Sequence, residues 1–271
     1  MKKSVLLLLL SMLIISGCKA DTLPEVNNGI SPDDIIKTID KGKAVEISGK
    51  IITGDLDFTR TKSKVTFSSS HLITAIEVPV TFIDCIFMGR VTTNNTSDKA
   101  AVTTHFKSTL TFEACDFRAN AEFDNMIVDG MANFTGAIFR EKALFNNVTF
   151  KGRQTYFTAF TSEKFFSMQE SFIGGAIDFF KGKTSGKLTF QSSDFVGNAR
   201  FSDLDCNGKC ELSLTNFKSD AYFTYANFGN DFRMANTTVW GKLDLISVQF
   251  QGNATLTNST FCHSVNLSKS T

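Results

Sequence analysis

From Leu188 to Leu267, apolar residues recur at 190, 195, 201, 206, 212, 217, 223, 228, 234, 239, 245, 250, 256, 261 and 267, in steps that alternate five and six. This rhythm is neither the 3.6-residue period of a helix nor the plain alternation of a long strand. It predicts short segments that each return an inward side chain. A second register sharpens the pattern. Two residues before most of these positions the side chain is small, as at Ala199, Ala221, Ala226 and Ala254. In extended chain, residues i−2 and i share a face, so each segment turns one small and one large residue inward. Two five-plus-six pairs make a 22-residue coil. Stacking by 22 aligns Phe201, Phe223, Leu245 and Leu267 in one ladder. Phe195, Phe217, Val239 and Phe261 form a second, and Phe190, Leu212, Met234 and Leu256 a third. Coils about 4.8 Å apart would place like residues in contact. One coil alone cannot bury its own faces, so its neighbours must supply the core.

The same rhythm appears earlier, at Ile47, Ile52 and Phe58, at Phe82 and Phe87, and from Phe112 through Phe117, Phe123, Val128, Phe134, Phe139 and Phe145 to Phe150. Between Phe58 and Phe82 it blurs, leaving Val65-Thr66-Phe67 as a candidate strand. Residues 90–109 are polar and predict an inserted loop. Across 151–187 the spacing slips at Phe157, Phe166, Phe172 and Phe179, which predicts bulges or an insertion within the same solenoid. Residues 30–42 carry helix signals instead. Ser31 is the N-cap, Pro32 sits at N1, Asp33 and Asp34 face the positive end of the dipole, and Gly42 supplies the left-handed stop. Ile35, Ile36 and Ile39 form one apolar face. So short a helix is marginal alone, and that face predicts a lid over the first coil.

Units such as Ala121–Asn125 (AEFDN), Ala132–Gly136 (ANFTG), Ala199–Asp203 (ARFSD) and Ala226–Asn230 (ANFGN) resemble those of pentapeptide-repeat proteins, over about residues 44–268. The resemblance implies an all-β fold, a right-handed quadrilateral β-helix over 43–271, with the helix at 30–42 as its single N-terminal cap. The sequence departs from the family pattern in its alternating period and its preference for Phe. Leu110, Leu188, Leu204, Phe232 and Leu243 are also large where the pattern is small.

Residues 1–17 read as a secretory leader: Lys2 and Lys3, an apolar stretch too short for a comfortable membrane span, then small residues. Ile15 to Cys18 resembles the bacterial lipobox, which implies that Cys18 becomes a lipid-modified N-terminus anchored in a membrane. Lys19 favours the outer membrane if the host is Gram-negative, and residues 18–29 would form a polar tether.

Composition narrows the function. A net charge of +1 gives no basic face for nucleic acid. The 28 Phe against three Tyr and one Trp point to buried rings. Cys85, Cys115 and Cys210 fall at small inward positions and Cys206 at a large one. Cys85 and Cys115 read as buried apolar thiols. Cys206 and Cys210, facing inward across a turn in an oxidising compartment, are the candidate disulfide. His71, His105 and His263 lie in no ligand spacing, so no metal or cofactor is expected. Asp55 with Asp57, and Asp203 with Asp205, could each place two carboxylates on one strand face, yet such pairs are usually plain surface, and no catalytic residue is assigned. Tyr156, Tyr222, Tyr225 and Trp240 fall between inward positions. Tyr222, Tyr225 and Trp240 are the candidate partner surface.

The expected function is therefore non-enzymatic: an envelope lipoprotein whose rigid β-helix meets an unidentified protein or envelope partner. A β-helical polysaccharide lyase or hydrolase is the alternative. The gyrase-protecting pentapeptide proteins, which imitate DNA, fit less well, because they are cytoplasmic and acidic. The chain runs only four residues past Leu267, which predicts an open last coil and a homodimer formed through it.

Overall fold

In the computed structural model, which describes residues 29–96 and 100–271, the chain winds as a four-sided, parallel β-solenoid. Each side of a coil contributes a short strand, and like sides stack into four sheets. Side I runs from Val45–Ser48 to Val265–Asn266, and side II from Gly29–Ile30 to Gln249–Phe250. Side III runs from Leu56–Asp57 to Ala254–Thr255, and side IV ends at Thr260–Phe261. Val45 pairs with Val80, Val80 with Leu110, and Leu110 with Ala132. From Thr155 through Ile177, Ala199, Ala221 and Leu243 to Val265, partners on side I then recur at the constant interval that the ladders predict.

The corners explain the alternating period. Five-residue steps close through a tight turn. Ala226 N–H donates to the Phe223 carbonyl at 2.9 Å, and Tyr225 between them is left-handed, with φ +61°. Such residues recur every eleven positions from Ala159 to Lys269. Six-residue steps carry their extra residue in a wider bend, where successive coils nearly touch. A Cβ on Gly152 would lie 2.1 Å from the Gly130 carbonyl oxygen, so only glycine fits.

Two inward residues per side build the core. On side I, Phe82, Phe112, Phe134, Phe157, Phe179, Phe201 and Phe223 form one unbroken stack, with centroids 4.8–5.6 Å apart. Edge-to-face neighbours lock it: Phe145 meets Phe134 at 5.1 Å and 85°. Each buried Phe contributes roughly 1.5–3 kcal/mol by leaving water. On side IV the small register carries hydroxyls that donate to the preceding coil, as Thr237 does to the Leu212 carbonyl at 2.8 Å and Ser193 to that of Met168 at 2.8 Å.

Several expectations change. Residues 151–187 contain no inserted loop. Ala132 pairs with Thr155, where the regular period would bring Gln154, so a single extra residue is absorbed at a corner. The slip in spacing arises because Thr155, Ser162, Ser171 and Thr184 take inward positions while Phe172 points out. On side II the two registers trade sizes. Phe160 and Leu204 are large at the small position, and Ser162, Thr184 and Cys206 are small at the large one. Gly182 between them leaves room, since a Cβ there would lie 2.3 Å from the Phe160 ring and 3.1 Å from Leu204. Volume is conserved although position is not.

The described residues of 90–109 form the two arms of a hairpin rather than an irregular loop. Strand Asn94–Thr96 pairs antiparallel with Ala101–Phe106. A second hairpin, Lys64–Ser68 with His71–Ile76, lies alongside, and its His71–Ile76 strand pairs with Ala101–Phe106 in parallel register. Together they form a flap off side IV, which includes the expected strand around Val65 but leaves Val65 and Phe67 exposed.

The helix spans Pro32–Asp40, its N-cap Ser31 accepting from Asp33 N–H. Ile35, Ile36 and Ile39 are buried against the core, so it covers the N-terminal end of the solenoid. Gly29, expected in the tether, and Ile30 instead pair with Ile51 and Ile52. The leader at 1–17, Cys18 and the tether to residue 28 lie outside the described residues. At the other end, in the last described coil, Val265 and Leu267 are exposed, and Phe250, Leu256 and Phe261 are only partly buried.

Candidate functional site

The second residue of each two-residue strand on side I points outward, because inward and outward alternate. That column reads Tyr156, Asp178, Arg200, Tyr222 and Asp244, paired strand to strand. The Phe stack supports it from beneath, so the outward groups sit on a rigid wall. Tyr225 lies at the corner from side I to side II and is 63% exposed. Trp240 lies at the corner from side IV to side I and is 55% exposed. All three Tyr and the single Trp thus fall on one of four sides or its two corners.

The polar groups there hold one another in place. The Arg200 guanidinium lies 3.8 Å from the centroid of the Phe180 ring and 3.5 Å from Asp178. Lys181 sits over the same ring at 5.1 Å. Tyr222 Oη donates to Asp220 Oδ2 at 2.8 Å, and Lys242 N–H donates to Asp220 Oδ1 at 2.8 Å. These bonds, the backbone one foremost, hold the Asp220 carboxyl below its usual range, while that carboxylate pushes the Tyr222 phenol up. The Trp240 carbonyl meets His263 Nδ1 at 2.5 Å. The arrangement is a fixed strip of aromatic rings and paired charges. It can stack, hydrogen-bond and exclude water along a partner.

The other candidates separate. Asp203 occupies a left-handed turn, φ +55°, while Asp205 sits on the next strand and accepts from Asn227 Nδ2 at 2.9 Å, so they are not a same-face pair. Asp55 is held by Arg90, whose N–H and guanidinium donate at 2.8 and 3.0 Å; these bonds lower its carboxyl. Asp57 caps the turn Phe58–Arg60 and accepts from Thr59 N–H at 2.9 Å. The three histidines are scattered. His71 bonds Thr103 within the flap at 2.9 Å, His105 lies 2.9 Å from Asp129, and His263 stands at the Trp240 corner. Among the described residues no group of three or more His, Cys, Asp or Glu converges on a metal-sized site.

Cys85, Cys115, Cys206 and Cys210 are buried inward as expected, all as free thiols, while Cys262 is exposed. Cys206 and Cys210 face each other inside the solenoid: the Cys210 thiol holds Cys206 down, and burial, then Cys206, pushes Cys210 up. Cys85 and Cys115 form a second such pair on adjoining coils, with Cys85 lowered to about 7 by the Cys115 thiol. A fixed period fails to align these two, because the flap hairpin lengthens the coil that lies between them.

No family model, no curated protein and no solved structure matches this chain.

Proposed function

We propose that this protein is a lipid-anchored pentapeptide-repeat protein of the bacterial envelope that works without catalysis, presenting side I to a protein or envelope partner. The observation that carries the reading is the gathering of Tyr156, Tyr222, Tyr225 and Trp240 on side I and its corners, over a stack of Phe that cannot yield. Rigid aromatics supply contact area at little entropic cost, as partner sites require. The leader and lipobox-like Ile15–Cys18 support acylation of Cys18 and, with Lys19, an outer-membrane address. In that oxidising compartment Cys206 and Cys210, free thiols in this structure, are the pair that would close a disulfide. The exposed Val265 and Leu267 on the last coil support a homodimer formed end to end.

Envelope fractionation of native cells tests the anchor. The protein should sediment with membranes, and Cys18→Ser should release it. Crosslinking pull-down then tests the face. Joint replacement of Tyr222, Tyr225 and Trp240 by Ala should abolish a partner band at unchanged protein level. A band that survives places the partner elsewhere. Turnover of pectin, alginate or peptidoglycan by purified protein, lost in Asp203→Asn or Asp205→Asn, would replace this reading with the enzymatic one.

A further inference from the structure

The flap strand Lys64–Ser68 is the outermost strand of side IV at the N-terminal end, with a strand partner on one edge only. Its apolar residues face solvent: Val65 is 58% exposed and Phe67, edge-on to His71 at 5.3 Å, is 71% exposed. So bare a Phe leaves most of its ring to solvent. Basic residues lie beside it. The end of the helix around Gly42 and the segment Thr61–Ser63 line one shallow cleft, which brings together the stretches bearing Lys41, Lys43, Lys62 and Lys64. Among the described residues none of these four forms an ion pair, and Lys64 Nζ meets only the Thr61 carbonyl, at 3.1 Å. The acidic groups on that cleft are Asp40, which accepts from Lys62 N–H at 2.7 Å, and Glu77. The described chain also begins at this end, with Gly29. Ten residues lie between it and Cys18, a reach of at most about 40 Å when extended.

We propose that the flap rests on an anionic lipid surface, Phe67 and Val65 entering the interface and Lys62 and Lys64 facing the headgroups. This rests on the reading of Cys18 as acylated only in saying how the flap reaches the bilayer; the contact itself needs no acyl chain. Two weak signals suit the chemistry: apolar insertion adds to attraction for anionic lipid, and either alone is marginal. Contact at this end would point the solenoid away from the membrane and leave side I clear.

The test uses the chain from residue 18 onward with Cys18→Ser. All described elements are kept, and neither leader nor acyl chain contributes. Cosedimentation with phosphatidylglycerol–phosphatidylethanolamine vesicles should show binding that weakens as salt rises and disappears on phosphatidylcholine alone. Phe67→Ser should weaken it about tenfold, and Lys62→Gln or Lys64→Gln about fivefold each. Lys187→Gln, which removes an exposed charge away from the flap, should leave it unchanged. With Phe67→Trp in a Trp240→Phe background, emission should shift to the blue on adding vesicles, which reports insertion even if other variants misfold. Absence of binding to anionic vesicles overturns the proposal, as does binding that Phe67→Ser leaves intact. Capture of an extended peptide along Lys64–Ser68 without lipid binding would assign the edge to a protein strand instead. Failure of the acylation reading would show separately, as an unmodified Cys18 in the mass of the native protein.

Discussion

Gly182→Ala is the sharpest test of how this core is packed. The new Cβ would stand 2.3 and 2.7 Å from two carbons of the Phe160 ring and 3.1 Å from Leu204 Cδ1. Carbon atoms prefer separations of about 3.5–4.0 Å, so the overlap exceeds an ångström. The ring cannot swing clear, because Phe157, Phe166 and Phe179 surround it at 6.1, 5.1 and 5.8 Å. Overpacking of this kind costs about 1–3 kcal/mol, and a ring held on three sides puts the expected loss near the upper figure. Phe160→Ala alone should cost about 3–5 kcal/mol as a cavity opens. In the Phe160→Ala background, Gly182→Ala should cost nothing or gain up to about 1 kcal/mol, its methyl filling part of that cavity. Guanidinium melts followed by far-ultraviolet circular dichroism measure all four corners of the cycle. A stacked solenoid need not unfold in one step, so midpoints are compared only where slopes agree. If Gly182→Ala costs the same in both backgrounds, to within about 0.5 kcal/mol, Phe160 does not fill that space and the size exchange on side II is wrong.

Three further outcomes follow from local chemistry. Leu214 is half-exposed in a left-handed turn at φ +60°, so Leu214→Asn should raise stability by about 1 kcal/mol, read as a higher melting midpoint. Thr237→Val removes the donor to the Leu212 carbonyl inside the core and should cost about 1–2 kcal/mol in the same melts. Burial raises the Asp124 carboxyl above its usual range although Asn146 N–H donates to it at 2.7 Å. An acid whose folded pKa is raised weakens the fold above that pKa and not below its unfolded value. Asp124→Asn should therefore stabilise at neutral pH, and the advantage should vanish as pH falls through the carboxylate range, measured by melts across pH.

The chain disclosed its architecture where inward positions were apolar and equally spaced. From Leu188 onward each coil repeats the last, so the ladders could be read directly and Phe201 does stack on Phe223 at 4.8 Å. It misled where size and polarity moved between registers. Ser162 and Thr184 are buried hydroxyls where the pattern calls for large apolar residues, and Phe160 compensates from the neighbouring position. A one-dimensional comb cannot see a volume balance that spans several coils. The flap was half legible: Val65-Thr66-Phe67 suggested a strand, but its antiparallel partner and the parallel strand from the next coil depend on contacts no local pattern encodes. The gathering of Tyr156 with Tyr222 was hidden for a related reason. The comb slips before Thr155, so Tyr156 is out of phase with the earlier coils, yet it stands three regular coils from Tyr222, an alignment that shows only once the slip is placed ahead of it.

The most direct test of the central claim is a photo-crosslinker scan around one coil in native cells. A photoreactive residue replaces Tyr222 on side I, Asn227 on side II, Arg233 on side III and Asn216 on side IV in turn. One discrete adduct is expected from the side I position, repeated at Tyr225 and Trp240, and none from the other three sides. Equal adducts from all four sides, or an adduct confined to sides II to IV, would contradict it.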